Sequence, residues 1–210
     1  MPAVSGPRRS SGSWRERQEK DPYVQKARKE GWRSRAVFKL EEIDRKERLL
    51  RPDMTVVDLG AAPGGWSQFV TQKLKGRARI VAIDLLPMDS LADVTILQDD
   101  FTEDSALDAL MSALDGETVD LVMSDMAPNI SGTKAVDQPR SMYLAELALD
   151  FAGRVLGKNG AFVCKLFQGA GFDEFVKDVR QRFAKVRVLK PAASRAGSSE
   201  VYLVARNYRL

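Results

Sequence analysis

Asp58-Leu59-Gly60-Ala61-Ala62-Pro63-Gly64-Gly65-Trp66, DLGAAPGGW, is the stretch on which the reading of this chain turns. The apolar run MTVVDLG (54–60) leads straight into it, and the helical stretch GGWSQFVTQKL (64–74) leaves it. In doubly wound folds the first strand-to-helix turn is where a nucleotide-like ligand sits. Glycines there let the backbone approach the ligand, and the helix N-terminus stabilises negative charge. The string is not G-x-G-x-x-G and lacks the Lys-Ser/Thr of a phosphate-binding loop, which weakens the dinucleotide and nucleoside-triphosphate readings. A merely tight strand-to-helix turn is the plainer alternative.

Two acids further along favour a ligand. Asp84 ends the next strand-like run, RIVAIDLLP, where a carboxylate accepts hydrogen bonds from both ribose hydroxyls of a nucleoside. Asp100, in LQDDF, ends the run after that, in a position to accept from an adenine amino group. Either acid alone reads as a solvated strand end. With the turn, on strand ends facing one crevice, they point to an adenosyl group.

Outward from the turn, short β-rich runs alternate with helical stretches: MTVVDLG, ARIVAIDLL, VTILQDD, VDLVMSD and GAFVCKLF, with SALDALMSAL, QPRSMYLAELALDFAGRVL and GFDEFVKDVRQRF between or after them. This alternation predicts an α/β fold with a mostly parallel sheet and helices on both faces. The last two strand-like runs, VRVLK and VYLVARN, are separated by PAASRAGSSE with no room for a helix, so an antiparallel pair at the sheet edge is expected. Upstream, Val37, Leu40, Ile43 and Leu50 predict an amphipathic helix over 34–50, ended by Pro52, with Lys39 off its apolar stripe.

With 210 residues and 44% apolar content, one sizeable core is expected rather than two. No apolar run approaches the roughly 18 residues of a membrane span, and no signal peptide is evident, so a cytoplasmic protein without membrane contact is expected. Cys164 is the single cysteine and histidine is absent, which leaves no disulfide, no histidine base and no expected metal. Net charge is +4, but residues 1–33 carry nine Lys/Arg against four acids, hence +5, which leaves −1 for the rest. The division that follows is a basic, partly disordered arm over 1–33 and a globular domain over 34–210. Such an arm suits a nucleic-acid backbone, though a solubilising tail has the same arithmetic. Trp14, Tyr23 and Trp32 interleave with its basic residues: either they stack on unpaired bases while the arm and Arg35 grip RNA, or Trp32 packs on the body and the others anchor a tail.

The turn's pattern, acidic-x-Gly-x-x-x-Gly, resembles the first motif of class I methyltransferases. Together with SRAVFKL, DLLPMD, VMSDMAPNISGT, VDQPRSMYL, KLFQGAGFDE and SSEVYLVA, it makes residues 31–206 similar to the FtsJ/RrmJ family of large-subunit ribosomal RNA methyltransferases. That resemblance implies a Rossmann-like fold with a seven-stranded sheet and S-adenosylmethionine as methyl donor. The implied donor contacts are Gly64, Trp66, Asp84, Asp100 and Asp125. It further implies a catalytic tetrad of Lys39, Asp125, Lys165 and Glu200, and a substrate uridine ribose in the A-loop of 23S RNA within the large subunit. A monomer is the default expectation.

The residues agree with this chemistry. A ribose hydroxyl is a poor nucleophile, so attack on a sulfonium methyl needs in-line geometry and a positioned base. Without histidine, Lys165 is the natural acceptor, with Asp125 orienting it and Lys39 and Glu200 positioning the ribose. A free lysine is charged at neutral pH, so the role demands surroundings that favour the amine. Asp125 and Lys165 each end an apolar run on the ligand side of an open sheet, whereas Cys164 alternates to the opposite face as a buried small residue. Three rivals compete. An adenine-amino methyltransferase would carry an Asn/Asp-Pro-Pro-aromatic string where this chain has SDMAPN; a nicotinamide dehydrogenase has different glycine spacing; a non-catalytic ribosome-assembly factor would keep the tetrad by accident.

Overall fold

The computed structural model describes residues 19–209. The order is α1 (Pro22–Glu30), α2 (Val37–Glu47), β1 (Met54–Leu59), α3 (Gly65–Leu74), β2 (Ala78–Asp84), β3 (Val94–Gln98), α4 (Asp104–Leu114), β4 (Val119–Ser124), α5 (Lys134–Val155), β5 (Leu156–Phe167), α6 (Phe172–Arg182), β6 (Phe183–Leu189) and β7 (Glu200–Tyr208). One seven-stranded sheet runs β3-β2-β1-β4-β5-β7-β6. Its first five strands pair in parallel, and β7 inserts antiparallel between β5 and β6, as the expected C-terminal hairpin requires. Strand order reverses between β1 and β4, which opens a crevice at their carboxyl ends.

Period-2 alternation divides the core in two. Val57, Val81, Val122, Phe162 and Leu203 face one side, where they pack against α4, α5 and α6. Val56, Ile80, Leu121, Val163 and Val204 face the other, against α1, α2 and α3. Because consecutive side chains take opposite faces, Cys164 falls on the α4–α6 side and Lys165 on the α1–α3 side. No helix among the described residues is long and apolar enough to cross a membrane.

Three local outcomes differ from the sequence reading. The helix expected over 34–50 ends at Glu47, well before Pro52: Arg48 turns left-handed, and the Asp44 carboxylate accepts from the N–H groups of both Leu49 and Leu50, at 2.9 and 2.8 Å. Helix α5 begins at Lys134, four residues before the expected start, and carries Pro139 inside it. Within the basic segment, α1 packs on the body. Asp21 caps it, Pro22 takes the first turn and Gly31 closes it in a left-handed conformation. Tyr23 lies 5.7 Å from Phe38 and Trp32 6.1 Å from Phe69, centroid to centroid, so both aromatics take the packing option. Trp14 and the disorder expected over 1–13 lie outside the described residues.

Candidate active site

The glycine turn makes sharp demands on its backbone. Gly60 has φ +74°, and a Cβ there would stand 2.6 Å from Met126 Cγ and 3.0 Å from the Met126 backbone. Its N–H and that of Ala61 both donate to the Ile83 carbonyl, which ties the turn to β2. Asp125 N donates to Leu59 O at 3.1 Å, so the β4 exit runs directly beside the turn. We expect Gly60→Ala to destabilise the fold by about 1–2 kcal/mol from the left-handed backbone alone. Displacement of the Asp125–Met126 segment adds to that. Denaturant unfolding with calorimetry of donor binding checks it; an unchanged midpoint and affinity would sink the account.

Between the turn, β2, β3 and β4 lies a crevice of about 480 Å³, within the range of small-molecule sites. Asp84, Asp100, Asp125 and Phe101 line it. Asp84 accepts from Ala62 N (2.9 Å) through one oxygen and from Leu86 N (2.8 Å) through the other, which fixes its carboxylate on the cavity wall. Asp100 accepts from the Thr102 backbone (2.9 Å) and hydroxyl (2.7 Å) through Oδ1, and these bonds hold its carboxyl below the usual range. Asp99 does not line the crevice. Neither do Gly64 and Trp66. Trp66 is buried, donating from Nε1 to Ala36 O (2.8 Å) with its ring 5.7 Å from Tyr202. A Cβ at Gly64 would meet the Arg33 guanidinium and Met88 Sδ, both at 2.9 Å; the bare turn lets Arg33 cross it to donate to Asp89 O and Ser90 O.

Lys39, Asp125, Lys165 and Glu200, from four different elements and exits, come together beside this crevice. Lys165 Nζ donates to the Asp125 carbonyl at 2.6 Å and lies 3.3 Å from Asp125 Oδ1. Lys39 Nζ pairs with Glu200 Oε1 at 2.7 Å, and Ser194 Oγ donates to that same oxygen at 2.8 Å. All four side chains are largely shielded, Lys165 to 9% exposure.

Tyr202 joins the two pairs, and sequence reasoning passed over it. Its hydroxyl donates to Asp125 Oδ1 at 2.6 Å and accepts from Lys39 Nζ at 3.1 Å. Opposite Lys165 in the β5–β7 register, it is fully buried. The available signal was alternation, since SSEVYL puts Glu200 and Tyr202 on one face. Burial, then the charge of Asp125, pushes the phenol well above its usual pKa, so Tyr202 stays a proton donor. For Tyr202→Phe we expect intact folding and a turnover loss of about tenfold, the worth of one charge-assisted hydrogen bond. A wild-type rate would show that the link is dispensable.

One further side chain, Arg35, differs from expectation. Arg35 is mostly inside the protein, paired with Asp21 and donating to the Ala193 carbonyl. Arg195 remains more than half exposed, 3.9 Å from Asp21. Cys164 is 1% exposed and its thiol is pushed up to about 12 by burial, which leaves it unreactive.

A seven-stranded sheet of this order, with antiparallel β7 and β6 and strand-end acids around the reversal point, defines a Rossmann-like methyltransferase fold. The chain belongs to the FtsJ-like methyltransferase family, which matches residues 32–208. It is 56% identical over 204 residues to Ribosomal RNA large subunit methyltransferase E of Hahella chejuensis, covering 97% of this chain and 99% of that protein. Among solved structures, a Plasmodium falciparum protein described as a ribosomal RNA methyltransferase superposes with a TM-score of 0.77 at 28% identity, covering 84% of this chain and 98% of that one. Human methyltransferase-like protein 13, in complex with SAH, reaches 0.56 at 17% identity, covering 76% and 78%. At that identity the likeness speaks to the fold alone.

Proposed function

We propose that this protein transfers a methyl group from S-adenosylmethionine to the ribose 2'-hydroxyl of a uridine in the 23S RNA A-loop of the large ribosomal subunit, working as a cytoplasmic monomer. The observation that carries the reading is the unbroken line Lys165–Asp125–Tyr202–Lys39–Glu200 beside a crevice lined with acids. The donor's chemistry fits that crevice: Asp84 takes the ribose hydroxyls and Asp100 the adenine amino group. Asp125, on the crevice wall with Gly60, faces the methionine end. Bound there, the donor supplies an electrophilic methyl on a sulfonium.

The chain's own residues do the rest. As an amine, Lys165 has two N–H groups for Asp125 O and Oδ1 and one lone pair left for the hydroxyl proton. Asp125 is itself held by Tyr202, so it aims Lys165 without needing to move. Lys39 and Glu200, fixed to each other and to Ser194, position the ribose. Low exposure keeps water from competing for the methyl group. The basic residues of segment 1–33 other than Arg33, together with Arg195, meet RNA phosphates. As a test, methyl-labelled donor is incubated with the protein and large subunits lacking the modification, and 2'-O-methyl positions are mapped. Label on one uridine ribose supports the reading; donor and subunit bound without transfer would leave an assembly factor in its place.

A further inference from the structure

A second cavity, of about 500 Å³, lies across the Asp125–Ile130 segment from the cofactor crevice, with Pro128 on the wall of both. We propose that it receives the nucleobase of the acceptor nucleotide, an inference that rests on the ribose-methylation reading. Position is the first argument. Ser199, on its lining, immediately precedes Glu200, and Phe167, also lining, pairs with Glu200 across β5–β7. Phe167 follows Lys165 by two residues on the same strand face, about 7 Å along the strand. A ribose held at Lys165 and Glu200 therefore has the crevice with the methyl donor on one side and this cavity on the other.

Its chemistry suits a base. Pro128, Ile130, Pro139 and Phe167 supply flat or apolar walls. Ile130 is 70% exposed, whereas Ile43, Ile80 and Ile83 are buried. Two groups on the lining present acceptors. Gln138 uses its amide N–H groups on Phe167 O (2.9 Å) and Ala170 O (3.1 Å), which leaves Oε1. Pro139 has no N–H, so the Ala135 carbonyl one turn earlier lacks its helical donor, and both residues line the cavity. Acceptors among apolar walls match the N–H edge of a base. The lining carboxylate, Asp137, is turned to hold Ser131 N and Oγ and Gly132 N at 2.8–3.0 Å, and Lys134 stands on the rim for phosphate.

The test uses the whole protein on large subunits lacking the modification. Ala170→Trp fills the cavity without touching the tetrad or the crevice. In parallel, p-benzoylphenylalanine at position 130 reports which nucleotide lies there on photo-crosslinking. We expect Ala170→Trp to keep its thermal midpoint and donor affinity while transfer at limiting subunit falls at least tenfold, and the crosslink to map to the nucleotide that carries the methyl group. Wild-type transfer by Ala170→Trp, a crosslink at another nucleotide, or a loss of donor affinity would each overturn the assignment. If the wild-type protein itself labels no ribose, the ribose-methylation reading falls and takes this inference with it; labelled ribose with an unaffected variant removes the base site alone.

Discussion

Replacing Lys165 by alanine should cut methyl transfer by about a thousandfold, the usual worth of a positioned base, with donor binding retained. The side chain is 9% exposed and holds two Asp125 oxygens, so its loss leaves the Asp125 carboxylate bonded by Tyr202 alone but does not open the core. Folding should survive, because Asp125 keeps solvent access at its 18% exposed side chain. Single-turnover rates from pH 6 to 9, with calorimetry of the donor, separate chemistry from binding. A variant within a few-fold of wild type across that range would remove Lys165 from the mechanism.

Asp58→Asn should change how stability depends on pH. Asp58 is 1% exposed; Ser67 Oγ donates to one oxygen at 2.7 Å and the other has no partner. Burial, with the charges of Asp125 and Asp84 adding, pushes its carboxyl up to about 7 from an ordinary 3.8. The folded protein thus holds this proton more tightly than the unfolded chain. The stabilising contribution is complete below about pH 3.8 and is lost as pH rises through about 7. Asparagine cannot ionise and still offers Ser67 an acceptor. The variant should therefore gain on wild type by roughly 3 kcal/mol between pH 5 and pH 8.5, read by urea unfolding. Parallel curves would mean that Asp58 does not titrate in that window. Keeping Asp58 neutral at lower pH also spares the crevice a third carboxylate charge beside Asp84 and Asp125.

Why Tyr202 went unread in the sequence while Lys165 did not is a matter of residue type. A lysine ending an apolar strand has a high desolvation cost, which marks it out, whereas a tyrosine in VYLVA is an ordinary strand residue until its partners are known. Register decided its role: pairing Lys165 with Tyr202 puts the hydroxyl between Asp125 and Lys39. Helix α1, within the basic segment, went unread for a related reason. Net charge counted Arg33 as a free cation, and Arg35 was read as an RNA contact, yet both are bound to protein oxygens, and the Asp21-Pro22 start and Gly31 stop of α1 carried the helix signal that charge obscured.

By itself, the sequence determined the alternation of strands and helices, the faces of the sheet and the strand ends at which Asp84, Asp100, Asp125 and Lys165 stand. Those follow from hydrophobic period and turn chemistry, which are local. Only the tertiary structure decided which of these ends meet. The reversal of strand order at β1 and β4, the insertion of β7 between β5 and β6 and the seat of α2 over Tyr202 bring residues 39, 125, 165 and 200 into one line of contacts. Such contacts join positions up to 163 residues apart. Nothing in a local pattern encodes a distance of that kind; packing two buried faces against one sheet does.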